Sequence, residues 1–169
     1  NLKARKSIKK VGVLYTKGEK GSEQQLAELM EEGKAAGFSV TAESARNPQE
    51  ATKLGSKLAT NADALFLTES IAVALQAKTI MASAQAKKCI IFSQIPGLVE
   101  AGALLGIEAD PEEQGKLVAV HALQILQGQK AHLLPVREAK KTFLKINKQT
   151  AGQLDLAIPP DVASKVKLM

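Results

Sequence analysis

Short apolar segments alternate with longer amphipathic segments over the first 110 residues of the chain. The apolar segments have the length and β-branched content of buried strands, whereas the amphipathic segments have the period of helices packed on one face. Five strands are predicted, at 11–15, 38–42, 63–67, 89–92 and 103–107. Alternation of this kind is typical of parallel strands joined by right-handed crossovers. We therefore predict a three-layer α/β/α, Rossmann-like, doubly wound and mostly parallel sheet, forming a single α/β domain over residues 1–169.

Helix starts are marked by polar capping residues, two of them followed by proline. The predicted caps are Asn47, Ser70, Asp110 and Asn147. Ser22 to Gln25 have the form of a capping box, which predicts an N-cap at Ser22 with Gln25 reaching back. Beyond the helix that begins at Asp110, residues 133–136 and 142–146 are strand candidates. The charged residues around them favour an edge position for at least one.

Composition and charge exclude some classes of function without identifying one. The chain is 45% hydrophobic with 3% aromatic residues, so an aliphatic core is expected. The net charge is +6, and residues 1–10 form a basic lead-in. Since neither stacking aromatics nor a nucleic-acid motif accompanies these charges, we expect a solvated segment and no nucleic-acid partner. Cys89 is the single cysteine, which excludes an internal disulfide.

Motifs for catalysis are missing from the expected positions. The loop after the first strand has neither the glycine spacing of a dinucleotide site nor the Gly-Lys-Ser/Thr ending of a phosphate loop. His121 and His132 have no second ligand in register. We therefore expect no catalytic residue, no bound metal and no cofactor. A small α/β enzyme remains the weakest alternative.

Polar tips follow three of the predicted strands, and each tip precedes a helix. They are Thr16-Lys17, Thr68-Glu69-Ser70 and Ser93-Gln94. In a parallel sheet such tips share one edge, where helix N-termini favour ligand binding. Glu69 suits a ligand ammonium group, and Ser93 and Gln94 suit neutral hydrogen bonds. Together these groups suit a zwitterion or another small polar solute. The alternative is that Ser22 and Ser70 act only as helix caps.

Several stretches occur together in an order found in a known family. They are Ile8 to Tyr15, Gly21-Ser22, Ala62 to Ser70, Gly102 to Ile107, Gly115 to Lys130, Asn147 to Ala151 and Ile158-Pro159-Pro160. In these the chain resembles the C-terminal half of ABC transporter substrate-binding proteins, in the family that includes aromatic amino-acid binders. The resemblance implies the type I periplasmic binding fold, in which ligand binds between two lobes and the closed form docks on permease subunits. It also implies a periplasmic or extracytoplasmic location, with a lipoprotein anchor possible in a longer protein, and a role in uptake without catalysis.

The resemblance implies that nine residues at one edge of this lobe contact the ligand. These are Tyr15, Thr16, Gly21, Ser22, Thr68, Glu69, Ser70, Ser93 and Gln94. The family usually has Asn where this chain has Thr16 and Asp where it has Glu69, and its usual aromatic pair near Ala109-Asp110 is absent. These departures bear on which ligand is bound.

The resemblance further implies that residues 103–130 cross to a first lobe that this sequence does not contain. The helix at 112–127 keeps an apolar face, formed by Val118, Ala122, Ile125 and Leu126. An exposed stripe of this kind needs a cover. We expect it to repack on this sheet or to pair with a second copy in a homodimer. The alternative function is a stand-alone Rossmann-like interaction or regulatory domain without transport activity.

Overall fold

A seven-stranded sheet forms the centre of the chain in a computed structural model, which describes residues 8–169. The strand order is β2-β1-β3-β4-β5-β6-β7, and all neighbours are parallel except β5 and β6. The strands are β1 Lys10–Tyr15, β2 Ser39–Ser44, β3 Ala64–Leu67, β4 Ile90–Ser93, β5 Leu105–Ala109, β6 Thr142–Ile146 and β7 Lys167–Leu168. The predicted fold class is confirmed. Residues 1–7 of the predicted basic lead-in lie outside the described residues.

Helices cover both faces of the sheet. They are α1 Lys20–Ala36, α2 Pro48–Asn61, α3 Ile71–Gln85, α4 Pro111–Leu126, α5 Lys148–Gln153 and α6 Pro160–Ala163. Because side chains alternate along β1, Val13 packs under α1 with Phe66, whereas Leu14 faces the core beneath α2 and α3. The resulting three layers hold the carboxyl ends of β1, β3 and β4 at one edge.

Most of the predicted helix starts are confirmed by their caps. Asn47, Asp110 and Asn147 each accept a hydrogen bond of 2.9 Å from an amide in the first turn that follows. The predicted N-cap at Ser22 is wrong, because α1 begins at Lys20 and the Ser22 side chain is buried. Glu23, rather than Gln25, reaches back and accepts from the Gly18 amide at 3.0 Å.

The later strands differ from the sequence prediction. β5 begins two residues later than expected, because the Ala103 amide closes a turn on the Leu98 carbonyl at 2.8 Å. Residues 133–136 are not a strand: a short 3₁₀ helix ends at Leu133 and no ladder follows. β6 forms as predicted but is internal, since the unpredicted strand β7 pairs outside it.

Residues 111–137, called the arm below, leave the lobe after β5. Ser93 at the end of β4 pairs with Gly106, so the last residues of β5 extend beyond the sheet edge. Helix α4 has no buried residue; Val118 is 69% exposed and Leu126 is 85% exposed. The expectation that this helix repacks on the sheet is therefore wrong. A groove of about 360 Å³ lies between α4 and the returning segment near His121.

Candidate ligand-binding edge

Hydroxyl groups join the ends of β1 and β3 to the first turn of α1. Ser22 Oγ accepts a hydrogen bond from the Thr16 amide at 3.0 Å and lies 2.7 Å from Thr68 Oγ1. Thr68 donates to the Leu14 carbonyl at 3.0 Å, which leaves Ser22 to donate to Thr68. Both side chains are buried. Ser22 and Thr68 therefore brace the edge from inside.

A second hydroxyl pair ties the end of β1 to the start of α3. Thr16 Oγ1 donates to the Ala45 carbonyl at 2.9 Å and lies 2.6 Å from Ser70 Oγ. Ser70 Oγ also accepts from the Val73 amide at 3.4 Å and so caps α3 as predicted. Thr16 thus holds the segment after β2 and the start of α3 against the end of β1.

One side-chain amide connects the other two tips. Gln25 Oε1 accepts from the Glu69 amide at 2.8 Å, and Gln25 Nε2 donates to Glu69 Oε2 at 3.1 Å and to Gln94 Oε1 at 2.7 Å. Gln25 is 9% exposed, whereas Glu69 is exposed and Gln94 half-buried. Glu69 Oε1 and Gln94 Nε2 have no partner among the described residues. An anionic acceptor and a neutral donor therefore lie side by side at the edge.

The remaining predicted residues lie at the same edge in different roles. Ser93 is buried, donates to the Leu67 carbonyl at 2.7 Å and accepts from the Ile95 amide at 3.0 Å. Tyr15 is half-buried against the core beneath α1, and Gly21 is exposed in the first turn of that helix. The structure thus gathers all nine predicted positions at one edge. That they contact a ligand stays a prediction.

An apolar groove of about 220 Å³ lies beside the polar edge, between α1 and strands β3 to β5. Its walls include the stacked rings of Phe66 and Phe92, with centroids 4.9 Å apart, and Ile107, which is 44% exposed. Parallel sheets normally have both faces covered by helices. Gln25, Ser93 and Gln94 also line this groove, so it is continuous with the polar edge. We assign the candidate polar contacts to the edge, because the unpartnered polar groups of Glu69 and Gln94 lie there.

A cluster of charged side chains joins the turn segment after β4 to strands β5 and β6, which lead into and out of the arm. Lys145, 8% exposed, donates to Glu100 and Glu108 at 2.7 Å each. Glu108 also accepts from the Gly97 amide at 3.1 Å. The pKa of Lys145 is raised, mainly by its hydrogen bond to Glu100 and secondly by that to Glu108. The hydrogen bond from Lys145 in turn lowers the pKa of Glu100.

A second ion pair closes the base of the arm. Lys141 Nζ lies 2.5 Å from Asp110 Oδ2, and the Lys141 amide donates to Glu113 at 2.8 Å. The hydrogen bond from Lys141 lowers the pKa of Asp110, whose other oxygen caps α4. The outgoing and returning strands are therefore joined by charge as well as by the β5–β6 ladder.

Gln25 and Lys145 are the residues that sequence reasoning assigned poorly. Ser22 and Gln25 are three residues apart and share one face of α1, so an inward-facing Ser22 could have indicated an inward-facing Gln25. Lys145 carries a weaker signal: a lysine at the apolar end of the strand 142–146 needs a carboxylate if it is buried.

The fold of the chain is that of one lobe of a type I periplasmic binding protein. A solute-binding protein from Actinobacillus succinogenes, solved with D-allose, has the same fold at a TM-score of 0.59 and 16% identity, over 85% of this chain and 53% of that chain. Because the sequence identity is low, this similarity supports the fold alone.

The chain belongs to the ABC transporter substrate binding protein family, whose model matches residues 4–167. A conserved domain protein from Vibrio cholerae superposes with a TM-score of 0.89 at 25% identity over 96% of this chain and 55% of that chain. A Streptococcus pneumoniae ABC domain solved with L-Trp has a TM-score of 0.89 at 24% identity, with the same coverage. The resemblance is thereby confirmed, and membership favours a binding lobe over a stand-alone regulatory domain.

A curated relative, the tyrosine-binding protein of Clostridioides difficile, is 26% identical over 148 residues. The match covers 88% of this chain and 43% of the relative, so the chain spans about half the length of the proteins it resembles. Within residues 8–169, no helix is both long and apolar enough to cross a membrane. The same residues contain no cluster of three or more side chains suited to hold a metal ion.

Proposed function

We propose that this chain is the ligand-binding lobe of an ABC-transporter substrate-binding protein that captures an amino-acid-like solute for uptake. Family membership supports the class, and the names of the tyrosine-binding relative and the L-Trp complex support the ligand type. The lobe binds without catalysis, acts in a periplasmic or extracytoplasmic space, and presents its ligand to permease subunits.

The observation that carries the proposal is the pairing of Glu69 and Gln94 at the open edge. Glu69 Oε1 is an anionic acceptor suited to an α-ammonium group, and Gln94 Nε2 is a donor suited to a carboxylate oxygen. Both are held by the buried amide of Gln25, so neither must be ordered at the moment of binding. The arrangement matches the two charged groups of a free amino acid.

The arm supports a cleft with a second wall. Its apolar residues stay exposed, with Leu123 at 56% and Leu126 at 85%, although they lie beside an otherwise folded lobe. We propose that the arm packs on an opposing lobe, as the greater length of the relatives allows. A second copy of this chain is the alternative partner for the same face.

A ligand screen tests the proposal on the 169-residue chain. Saturation-transfer NMR detects the weak binding expected of one lobe, so each of the common amino acids is tested separately. We expect transfer to at least one amino acid, lost in Glu69→Gln and retained in Glu31→Gln, which neutralises an exposed acid elsewhere on α1. Absence of transfer to every amino acid would contradict the proposal.

A further inference from the structure

We propose that Gln25 determines the ligand class by fixing Gln94 as a hydrogen-bond donor towards the cleft. This inference rests on the proposed function and concerns the same edge. It assigns the lobe to zwitterionic α-amino acids in preference to the corresponding amines. Gln25 is therefore a positioning residue.

The orientation of the Gln25 amide follows from its partners. The Glu69 backbone amide can only donate, so the oxygen of Gln25 must face it, at 2.8 Å. The Glu69 carboxylate accepts, so the Gln25 NH₂ group must face it, at 3.1 Å. Two contacts with one residue thus exclude the flipped amide, an assignment that a single contact would leave open.

The orientation of Gln94 follows in turn. Gln25 Nε2 has two protons, one directed to Glu69 and the other to Gln94 Oε1 at 2.7 Å. Gln94 therefore turns its oxygen inward and its NH₂ group away from Gln25. The preceding residue, Ser93, is held on both sides by the Leu67 carbonyl and the Ile95 amide, which restrains the tip.

The direction of this chain of hydrogen bonds sets the chemistry at the surface. With the NH₂ group of Gln94 outward, the edge offers one anion and one donor, which suits an ammonium and a carboxylate together. With Gln94 reversed, the edge would offer two acceptors, which suit an ammonium alone. Gln25→Glu brings about that reversal, because a carboxylate at position 25 accepts from Gln94 and cannot donate to it.

The test compares L-tryptophan with tryptamine, which lacks the carboxylate, by ¹⁵N NMR titration of the chain. We expect the wild type to prefer L-tryptophan and Gln25→Glu to lower the ratio of the two affinities about tenfold, the effect of one hydrogen bond to a charged group. Gln24→Glu adds the same charge on the exposed face of α1, where the Gln24 side chain donates to Glu28 at 2.9 Å. This control is expected to keep the wild-type ratio.

A double variant separates folding from ligand choice. In Gln25→Glu with Glu69→Gln, the new amide at 69 donates to the new carboxylate at 25, so we expect thermal stability lost in the single variant to return. L-tryptophan affinity should stay low, because Gln94 remains reversed and the anion is gone. Recovery of L-tryptophan binding in the double variant would overturn the inference.

Two further results are decisive in different ways. Binding of L-tryptophan by the wild type with an unchanged affinity ratio in Gln25→Glu would overturn the inference and leave the proposed function intact. A wild-type chain that binds neither probe, nor any amino acid in the screen above, would overturn the proposed function and the inference with it.

Discussion

At the residue scale, the polar side chains of the edge fall into two groups. Ser22, Thr68 and Ser93 are buried and bonded inside the lobe, so their hydroxyl groups hold the strand ends at fixed positions. Glu69 and Gln94 keep one unsatisfied group each towards solvent. A buried group without its partner costs more than an exposed one, so the two sets should respond differently to substitution.

Thr68→Val tests the bracing role. Valine has nearly the same shape, but it leaves the buried Ser22 hydroxyl without its acceptor and removes the side-chain bond to the Leu14 carbonyl, which keeps its 3.2 Å bond from the Thr68 amide. We expect a loss of about 1–3 kcal/mol in the free energy of unfolding, measured in urea. Thr79→Val, at an exposed position of α3, is expected to change it by less than about 0.5 kcal/mol. Equal effects would argue against a brace.

The Lys145 cluster predicts a dependence of stability on pH. The pKa of Glu100 is lowered from its ordinary value of 4.5 by the hydrogen bond from Lys145, so its contribution is present above that value and is lost as the pH falls through the lowered pKa. The pKa of Lys145 is raised from 10.5, so its contribution is present below that value and is lost as the pH rises through the raised pKa.

Glu100→Gln should therefore be less stable than the wild type at neutral pH and lose less stability on acidification below about pH 4.5. Urea unfolding at a series of pH values measures both slopes. Glu31→Gln, which removes an exposed carboxylate, provides the reference. An acid slope in Glu100→Gln identical to that of the wild type would contradict a stabilising contribution from the Glu100–Lys145 pair.

At the element scale, local signals predicted the elements that local chemistry determines. Asn47, Ser70, Asp110 and Asn147 cap their helices as the sequence indicated. The N-cap prediction at Ser22 was wrong because its hydroxyl bonds to the ends of β1 and β3. The pattern along one helix does not reveal such contacts. The strand prediction at 133–136 was wrong because an apolar stretch needs a neighbouring strand to form a ladder. β7 was not predicted because a strand of two residues is too short to show alternation.

Gly106 in β5 packs closely against the turn segment that contains Val99. A Cβ at this position would lie 2.5 Å from Val99 Cγ2 and 3.2 Å from the Ser93 carbonyl oxygen. Because Val99 is 1% exposed, it has little room to move, and we expect Gly106→Ala to cost roughly 1–3 kcal/mol in urea unfolding. Gly115→Ala lies on α4, where an added Cβ meets nothing within 4 Å, so we expect it to stabilise the chain by up to about 1 kcal/mol. A tolerated Gly106→Ala would contradict the close packing.

At the scale of the whole molecule, we propose that the chain forms one side of a cleft. Topology alone predicted the common edge, because parallel strands place their tips together. The hydrogen bonds of Gln25 could not be predicted, since they depend on how α1 is rotated against β3 and β4. The exposed arm is consistent with a facing lobe, and under this proposal the ligand is bound more tightly when that lobe is present.

The position of ligand-induced changes tests the central claim most directly. In ¹⁵N NMR spectra of the chain titrated with an amino acid that binds in the saturation-transfer screen, we predict that the shifting amides cluster at the tips, at Thr16, Gln25, Glu69 and Gln94. The side-chain NH₂ signal of Gln94 should move with them. Shifts confined to the apolar groove around Phe66 and Phe92, or no shifts at saturating ligand, would contradict the assignment of this edge as the ligand-binding site.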